Sequence, residues 1–356
     1  MKKIFVLPLI LLFAAVLCAS EYKFTALGDT HYDGAQYHTS PPAKSYQKRE
    51  RQRNYSMWSD GRSDAVLAAA AKKTTPEMRF VVQLGDLTQG DCDTSGLFEK
   101  MFADAFAKIK SHFPDNKLLI VKGNHDVRQL NVEGKSNGPA AKALLPLIAK
   151  ELGRKSIAGN YMVMQDKDLH LFLDNYVAPQ VTVNFVKECL KDNPDTRYLF
   201  LYMHYPLLFS SPSNHPYITG DYKELTPLLA ARNVIVFCGH THMNTFSELT
   251  LPQGKITQVV LSSIGCDWYP EQVPTVKWKD FDALCGRIKP KRMKMPAVTE
   301  MLSVMKSNPL SYICYNRQAG FAVVNVNDKE VTAEVYVSDS GKPWVVKTLG
   351  RNVKTK

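Results

Sequence analysis

Five apolar runs punctuate the first two thirds of the chain: YKFTALG (22–28), MRFVVQLG (78–85), KLLIVKG (117–123), RYLFLYM (197–203) and NVIVFCG (233–239). Their hydrophobicity is nearly continuous rather than alternating, the pattern of strands buried on both faces. Between them, apolar positions recur at helical spacing near 62–73, 96–112, 139–152, 180–192 and 221–232. Strand and helix in alternation predict an α/β fold. NYMVMQ (160–165) and LHLFLD (169–174) predict a hairpin turning at Asp166–Asp168. After residue 242 the pattern changes to strands alone, at 245–251, 255–263, 320–327 and 330–338, with a helix around 297–306. These later strands suggest a second sheet packed on the first, giving a layered β-sandwich flanked by helices, in the order α/β/β/α.

Polar residues follow each of the five runs. Asp29-Thr30-His31 comes after the first, Asp86 after the second and Asn124-His125-Asp126 after the third; His204 follows the fourth and His240-Thr241-His242 the fifth. In an α/β sheet, ligands bind beyond the carboxyl ends of the strands, so five segments deliver Asp, His and Asn side chains to one edge of one sheet. Glycine precedes the polar residue at Gly28, Gly85, Gly123 and Gly239, where it permits a sharp exit and a close backbone approach. Each short motif is weak by itself. The ordered set predicts a metal site, with His240 and His242 side by side in an extended segment.

The first twenty residues, MKKIFVLPLILLFAAVLCAS, run from lysines through an apolar stretch to small residues, the order of a secretory signal peptide cleaved after Ser20. A secreted or periplasmic protein is expected, with 21–356 as a single domain. The alternative is a lipoprotein anchor on Cys18, which Leu17 disfavours as the preceding residue; only that anchor would place the chain at a membrane. With Lys2 and Lys3 removed, the formal charge of +11 falls to about +9. The excess suits anionic substrates, but it is spread along the chain and marks no nucleic-acid site. One basic cluster, KSYQKRERQR (44–53), reads as a solvated loop. It lies in a long polar insertion over 32–60; a second insertion covers 264–318. Export allows some pairing among Cys92, Cys189, Cys238, Cys266, Cys285 and Cys314, although Cys238 sits in an apolar strand and reads as core. No C-x-x-C pair supports a zinc ribbon.

Taken together, GDTH (28–31), GDLTQG (85–90), GNHD (123–126), MHYP (203–206) and GHTH (239–242) resemble the calcineurin-like metallophosphoesterase family. The resemblance implies two metal ions. Asp29, His31 and His242 would hold the first, Asp86 would bridge, and Asn124, His204 and His240 would complete the second. A mixed carboxylate, imidazole and amide set suits Mn²⁺, Fe or Zn²⁺ better than calcium. It further implies a phosphoric ester hydrolase acting on small phosphorylated substrates, in which a hydroxide bridging the metals attacks phosphorus in line. His125 is the candidate general acid for the leaving group, with Asp126 the candidate to orient it. Simple hydrogen bonding of phosphate by His125 and a structural role for Asp126 are the alternatives.

Purple acid phosphatases place a tyrosine where Gln89 stands, so the chain looks closer to the group that includes cyclic-nucleotide phosphodiesterases. Selection between monoesters and diesters falls to surrounding loops, with Tyr32, His38, the 44–53 run, Tyr205 with 210–217, and Trp268 as candidates. A catalytically silent binding protein on the same fold is the alternative from a different class.

Overall fold

The computed structural model describes residues 21–41, 44–128, 137–208, 222–265, 296–308 and 313–352. Two sheets face each other. Among the described residues, the first has six strands and the second seven. In the first, β1 (Tyr22–Leu27), β2 (Met78–Gln83) and β3 (Lys117–Ile120) run parallel. Beyond β1, β11 (Gly320–Val326), β12 (Glu330–Val337) and β13 (Val345–Arg351) continue antiparallel. The second sheet opens with the antiparallel pair β4 (Tyr161–Gln165) and β5 (Asp168–Phe172). It continues in parallel through β6 (Leu199–Tyr202), β7 (Ile235–Cys238) and β9 (Gly254–Val260). Antiparallel β8 (Asn244–Leu251) and β10 (Ile313–Asn316) close its edge.

The sequence expectation of a two-sheet sandwich holds, with one correction. The five motif-bearing strands do not share one sheet: β1, β2 and β3 belong to the first, β6 and β7 to the second. The late strands are likewise divided between the two. A strand buried on both faces reads the same in either sheet, so hydrophobic pattern cannot assign it.

Aromatic rings fill the space between the sheets. Phe24 stacks on Phe80 at 5.2 Å and meets Phe200 and Phe237 edge-on at 5.6 Å from the other sheet. Burying such a ring is worth about 1.5–3 kcal/mol, and edge-to-face pairing adds roughly 0.5–1.5 kcal/mol. His170 stacks on Phe200 at 4.6 Å and is satisfied by two tyrosine hydroxyls, Tyr22 at 2.8 Å and Tyr202 at 2.9 Å. Tyr22 donates to Asp168 at 2.9 Å, and Asp168 pairs with Arg197, which also reaches Asp328. Polar cross-links therefore join the sheets at the amino ends of β1 and β5.

Helices cover both outer faces. α2 (Arg62–Ala71), α3 (Ser95–His112) and α4 (Asn137–Glu151) bury Leu67, Phe102 and Leu144 in the core of the first sheet. The second sheet is covered by α5 (Pro179–Asp192), α6 (Tyr222–Ala230) and α7 (Pro296–Ser307). These bury Val186, Leu229 and Met305. Amphipathic spacing makes these segments helical, and Thr94 caps α3 by accepting from the Leu97 amide at 3.2 Å.

The basic run at 44–53, read as a solvated loop, is instead most of a helix, α1 (Ser45–Ser59). Its inner face is polar, with Gln47, Arg51 and Asn54 buried, so no apolar stripe announced it. Cys92, Cys189 and Cys238 are free, buried thiols. Cys266 and Cys285, most of the 264–318 insertion, the 210–217 segment and the leader with Cys18 lie outside the described residues. Among the described residues, no helix is long and apolar enough to cross a membrane.

Candidate metal centre

Parallel pairing brings the carboxyl ends of the motif strands to one end of the sandwich. Leu27 is level with Gln83 and Gln83 with Ile120 in the first sheet, and Tyr202 with Phe237 in the second. The loops leaving these ends converge. Asp29 Oδ2 stands 2.9 Å from His242 Nε2 and 3.8 Å from His31 Nε2, and the two imidazole nitrogens are 3.0 Å apart. Asp86 Oδ2 lies 3.7 Å from His31 Nε2 and 3.3 Å from His204 Nε2, between the two halves of the centre. His204 Nε2 faces Asn124 Oδ1 at 3.0 Å, and its ring lies 5.0 Å from that of His240. The donor atoms of Asp29, His31 and His242 lie within 4.8 Å of one another, as do those of Asp86, His204 and His240 and those of His31, Asp86 and His125. All seven residues expected as ligands therefore converge at one end of the sandwich.

The backbone is bent to achieve this. His31, Asp86, His240 and His242 all have positive φ, at 44°, 52°, 71° and 50°. Each such residue stores on the order of 1 kcal/mol or more of strain, which persists only where the surroundings over-determine it. Here they do. The Asp86 carbonyl accepts from the Thr30 and His31 amides at 2.9 and 2.8 Å, and Asp29 Oδ1 accepts from the His240 amide at 2.8 Å. Two motif glycines make room for the carboxylates. A Cβ on Gly123 would overlap Asp86 Oδ1, and one on Gly239 would overlap Asp29 Oδ1.

A sequence model of the family described as calcineurin-like phosphoesterase matches residues 22–244, the segment that contains every one of these loops. The chain belongs to this family. No curated protein sequence gives a match. Among solved structures, the chain is similar to GAP50, the anchor in the inner membrane complex of Plasmodium, at 13% identity and a TM-score of 0.51, covering 93% of this chain and 89% of that one. It is also similar to PhoD, at 11% identity and a TM-score of 0.52, covering 92% and 68% of the two chains. At such identities the likeness is one of fold.

Phosphoesterases of this family typically hold two metals, and the donor set here fits cations. Asp29 Oδ2 is buried yet accepts no hydrogen bond, and His31 Nδ1 is buried without a partner. His204 Nδ1 faces the Leu84 carbonyl at 2.9 Å, so that nitrogen carries a proton and Nε2 is turned to the centre. Burial opposes charge on His204, but the Asp86 and Asp29 carboxylates outweigh it and lift its pKa to about 9. Burial would also raise Asp86, yet His204 and His125 hold it well below the carboxylate range. Burial pushes His31 and His240 well below the usual imidazole value. Without a cation, then, His204 and Asp86 form a charged pair beside the His31 and His240 imidazoles, which burial keeps neutral.

His125 Nδ1 faces the Gln89 carbonyl at 2.9 Å rather than Asp126, which leaves Nε2 toward the centre. Burial, then the Arg128 charge, lower its pKa to about 3. Asp126 holds the scaffold: it accepts from the Gly123 and Thr88 amides at 2.9 Å, and from the Leu87 amide and Thr88 hydroxyl at 3.2 Å. It thus ties the loop after β2 to the loop after β3. Burial and the Asp86 charge raise its pKa to about 7.

Several supporting residues escaped the motif search. Gln83 donates to the Gly85 carbonyl at 2.6 Å and to the Thr30 hydroxyl at 3.0 Å. A glutamine inside an apolar strand was the available signal. Asn175 accepts from the His204 and Tyr205 amides at 3.2 and 3.3 Å, and Trp58 of α1 donates to the His31 carbonyl at 3.1 Å. Of the candidate selectivity residues, Tyr205 meets His240 edge-on at 4.6 Å. Tyr32 packs on Trp58 at 4.9 Å, and His38 is bound to Asp33 at 2.6 Å.

Proposed function

We propose that this chain is an exported, metal-dependent phosphoric ester hydrolase acting on small phosphorylated substrates. The observation that carries the reading is the convergence of two carboxylates, four imidazoles and one amide, from five strand ends, with their donor atoms a few ångströms apart. Asp29, His31, Asp86 and His242 would hold one ion, and Asp86, Asn124, His204 and His240 the other. Ions held there supply Lewis-acid charge against the phosphoryl oxygens and acidify water near neutral pH. The strained loops hold the donors in place before substrate arrives, so little reorganisation remains for the reaction.

His125 acts as the general acid. Its Nδ1 proton is spent on Gln89, so Nε2 is the atom that carries a proton to the leaving oxygen. Burial denies that ring a charge in the free protein, and a phosphate dianion beside it supplies the missing counter-charge. The order of lysines, apolar stretch and small residues over 1–20 fits export, and the basic excess fits an anionic substrate.

The test is metal analysis of the purified protein with hydrolysis of a chromogenic phosphomonoester and phosphodiester, followed by cyclic nucleotides and lipid-derived diesters, with Mn²⁺, Zn²⁺ and Fe added separately. Turnover that depends on added metal, and that Asp86→Asn abolishes along with metal content, is expected. A metal-loaded protein inert toward the whole panel would instead favour a catalytically silent binding role on the same fold.

A further inference from the structure

Asn124 and His204 come from opposite sheets, and a buried ion pair stands directly behind them. Asn124 follows β3 in the first sheet and His204 follows β6 in the second, yet Asn124 Oδ1 and His204 Nε2 lie 3.0 Å apart. Two residues before Asn124, Lys122 Nζ pairs with Asp174 Oδ2 at 2.7 Å, and the two side chains are only 4% and 5% exposed. Asp174 lies on the segment that leaves β5, so this pair also crosses between the sheets. One residue on, Asn175 Oδ1 accepts from the His204 amide at 3.2 Å. The contacts close a circuit from Lys122 to Asp174, along the chain to Asn175, across to His204 and Asn124, and back along the chain to Lys122. Its surroundings hold the pair in place. Asn137, at the start of α4, accepts from Lys122 and donates to the Tyr176 carbonyl at 3.1 Å. Asp174 Oδ1 accepts from the Tyr176 amide at 2.9 Å, and the Asp174 amide donates to Asn160 Oδ1 at 2.7 Å. Desolvation largely offsets the attraction within a buried pair, so what such a pair fixes is geometry more than stability.

We propose that Lys122 and Asp174 are positioning residues for the ion assigned to Asp86, Asn124, His204 and His240, setting the gap between Asn124 and His204 across the two sheets. This rests on the two-ion reading. The pair touches no ion and moves no proton; it acts through the backbone of the two loops. An amide oxygen such as that of Asn124 carries no net charge to draw a cation in, so its contribution depends on being held at the right distance. Groups behind a ligand govern affinity in this way by fixing the ligand's orientation. The ion assigned to Asp29, His31, Asp86 and His242 takes no donor from this circuit.

The experiment titrates Mn²⁺ and, separately, Co²⁺ into the metal-free full chain, followed by calorimetry and by visible absorption of the cobalt. The double variant Lys122→Met/Asp174→Asn removes both charges together, so that neither is left buried and unpaired, and it keeps an acceptor for the Tyr176 amide. It is expected to bind one ion as the wild type does and the other about 10–100-fold more weakly. Its singly loaded Co²⁺ spectrum should match that of His204→Ala rather than that of His242→Ala, which identifies the weakened position. Asn175→Ala opens the circuit at a different point and should give the same selective loss. Unchanged affinity for both ions in either variant, or equal weakening of the two, overturns the positioning role while leaving the two-ion reading intact. A wild-type chain that binds fewer than two ions sinks the two-ion reading itself, and the positioning role with it.

Discussion

Replacing Asp126 by alanine should cost stability before it costs chemistry. Its carboxylate is fully buried and accepts from three main-chain amides and one hydroxyl across two ligand loops. A buried donor left unpaired costs about 1–3 kcal/mol, so three amides set a gross loss of roughly 3–9 kcal/mol. Part of this is offset, because burial and the Asp86 charge already disfavour ionised Asp126, lifting its pKa from the usual carboxylate range to about 7. A net loss of about 3 kcal/mol is therefore expected for Asp126→Ala, measured by urea unfolding of metal-free protein. The sign of the pH dependence follows. A pKa raised on folding contributes stability that is full below the unfolded value and fades as pH rises through the folded one. The gap between wild type and Asp126→Ala should then be wider at pH 5 than at pH 8. Unfolding free energies within about 1 kcal/mol of each other at both values, or a gap that widens with pH, would refute the loop-tie argument.

Two further outcomes follow from the same geometry. His125→Ala should leave both metals bound and slow alkyl phosphates by about 10²–10⁴-fold, with aryl phosphates, whose leaving groups need no proton, affected least; equal losses for both substrates would remove His125 as the acid. In metal-free protein the His204–Asp86 pair stabilises fully between about pH 4 and pH 6.5; the contribution is lost as pH rises through about 9, the raised His204 pKa, and again in acid, as the depressed Asp86 carboxylate takes up its proton. Binding of a divalent cation at pH 7.5 should accordingly expel the His204 Nε2 proton, and calorimetry in buffers of different ionisation enthalpy reads this directly; buffer-independent heats would contradict it.

The alternation of apolar runs and amphipathic stretches was enough to place most of the helices and strands, because burial on both faces and on one stripe leave distinct periodicities. The convergent side chains were legible for a similar reason: Asp, His and Asn beyond strand ends stand out against apolar runs. What the pattern could not carry was information stored in pairings. Nothing in KLLIVKG or NVIVFCG says which sheet it joins. Helix α1 stayed hidden because Gln47, Arg51 and Asn54 face inward to polar partners on the Gln89–Asp91 turn, inverting the usual code. Adjacency in sequence also misled at Asp126, whose backbone neighbour His125 turns instead to Gln89. The left-handed φ values of His31, Asp86, His240 and His242 leave no compositional trace, since none of these residues is glycine.

The division of the motif strands between the sheets has a mechanical consequence. Asp29, His31, Asp86 and Asn124 ride on one slab of the sandwich, and His204, His240 and His242 on the other. Cations held by both sets would act as a rivet through two plates, while Tyr22, Asp168 and His170 bolt the far end. A chelator should therefore loosen one rim and leave the plates aligned, so that the molecule gapes at its working edge rather than coming apart.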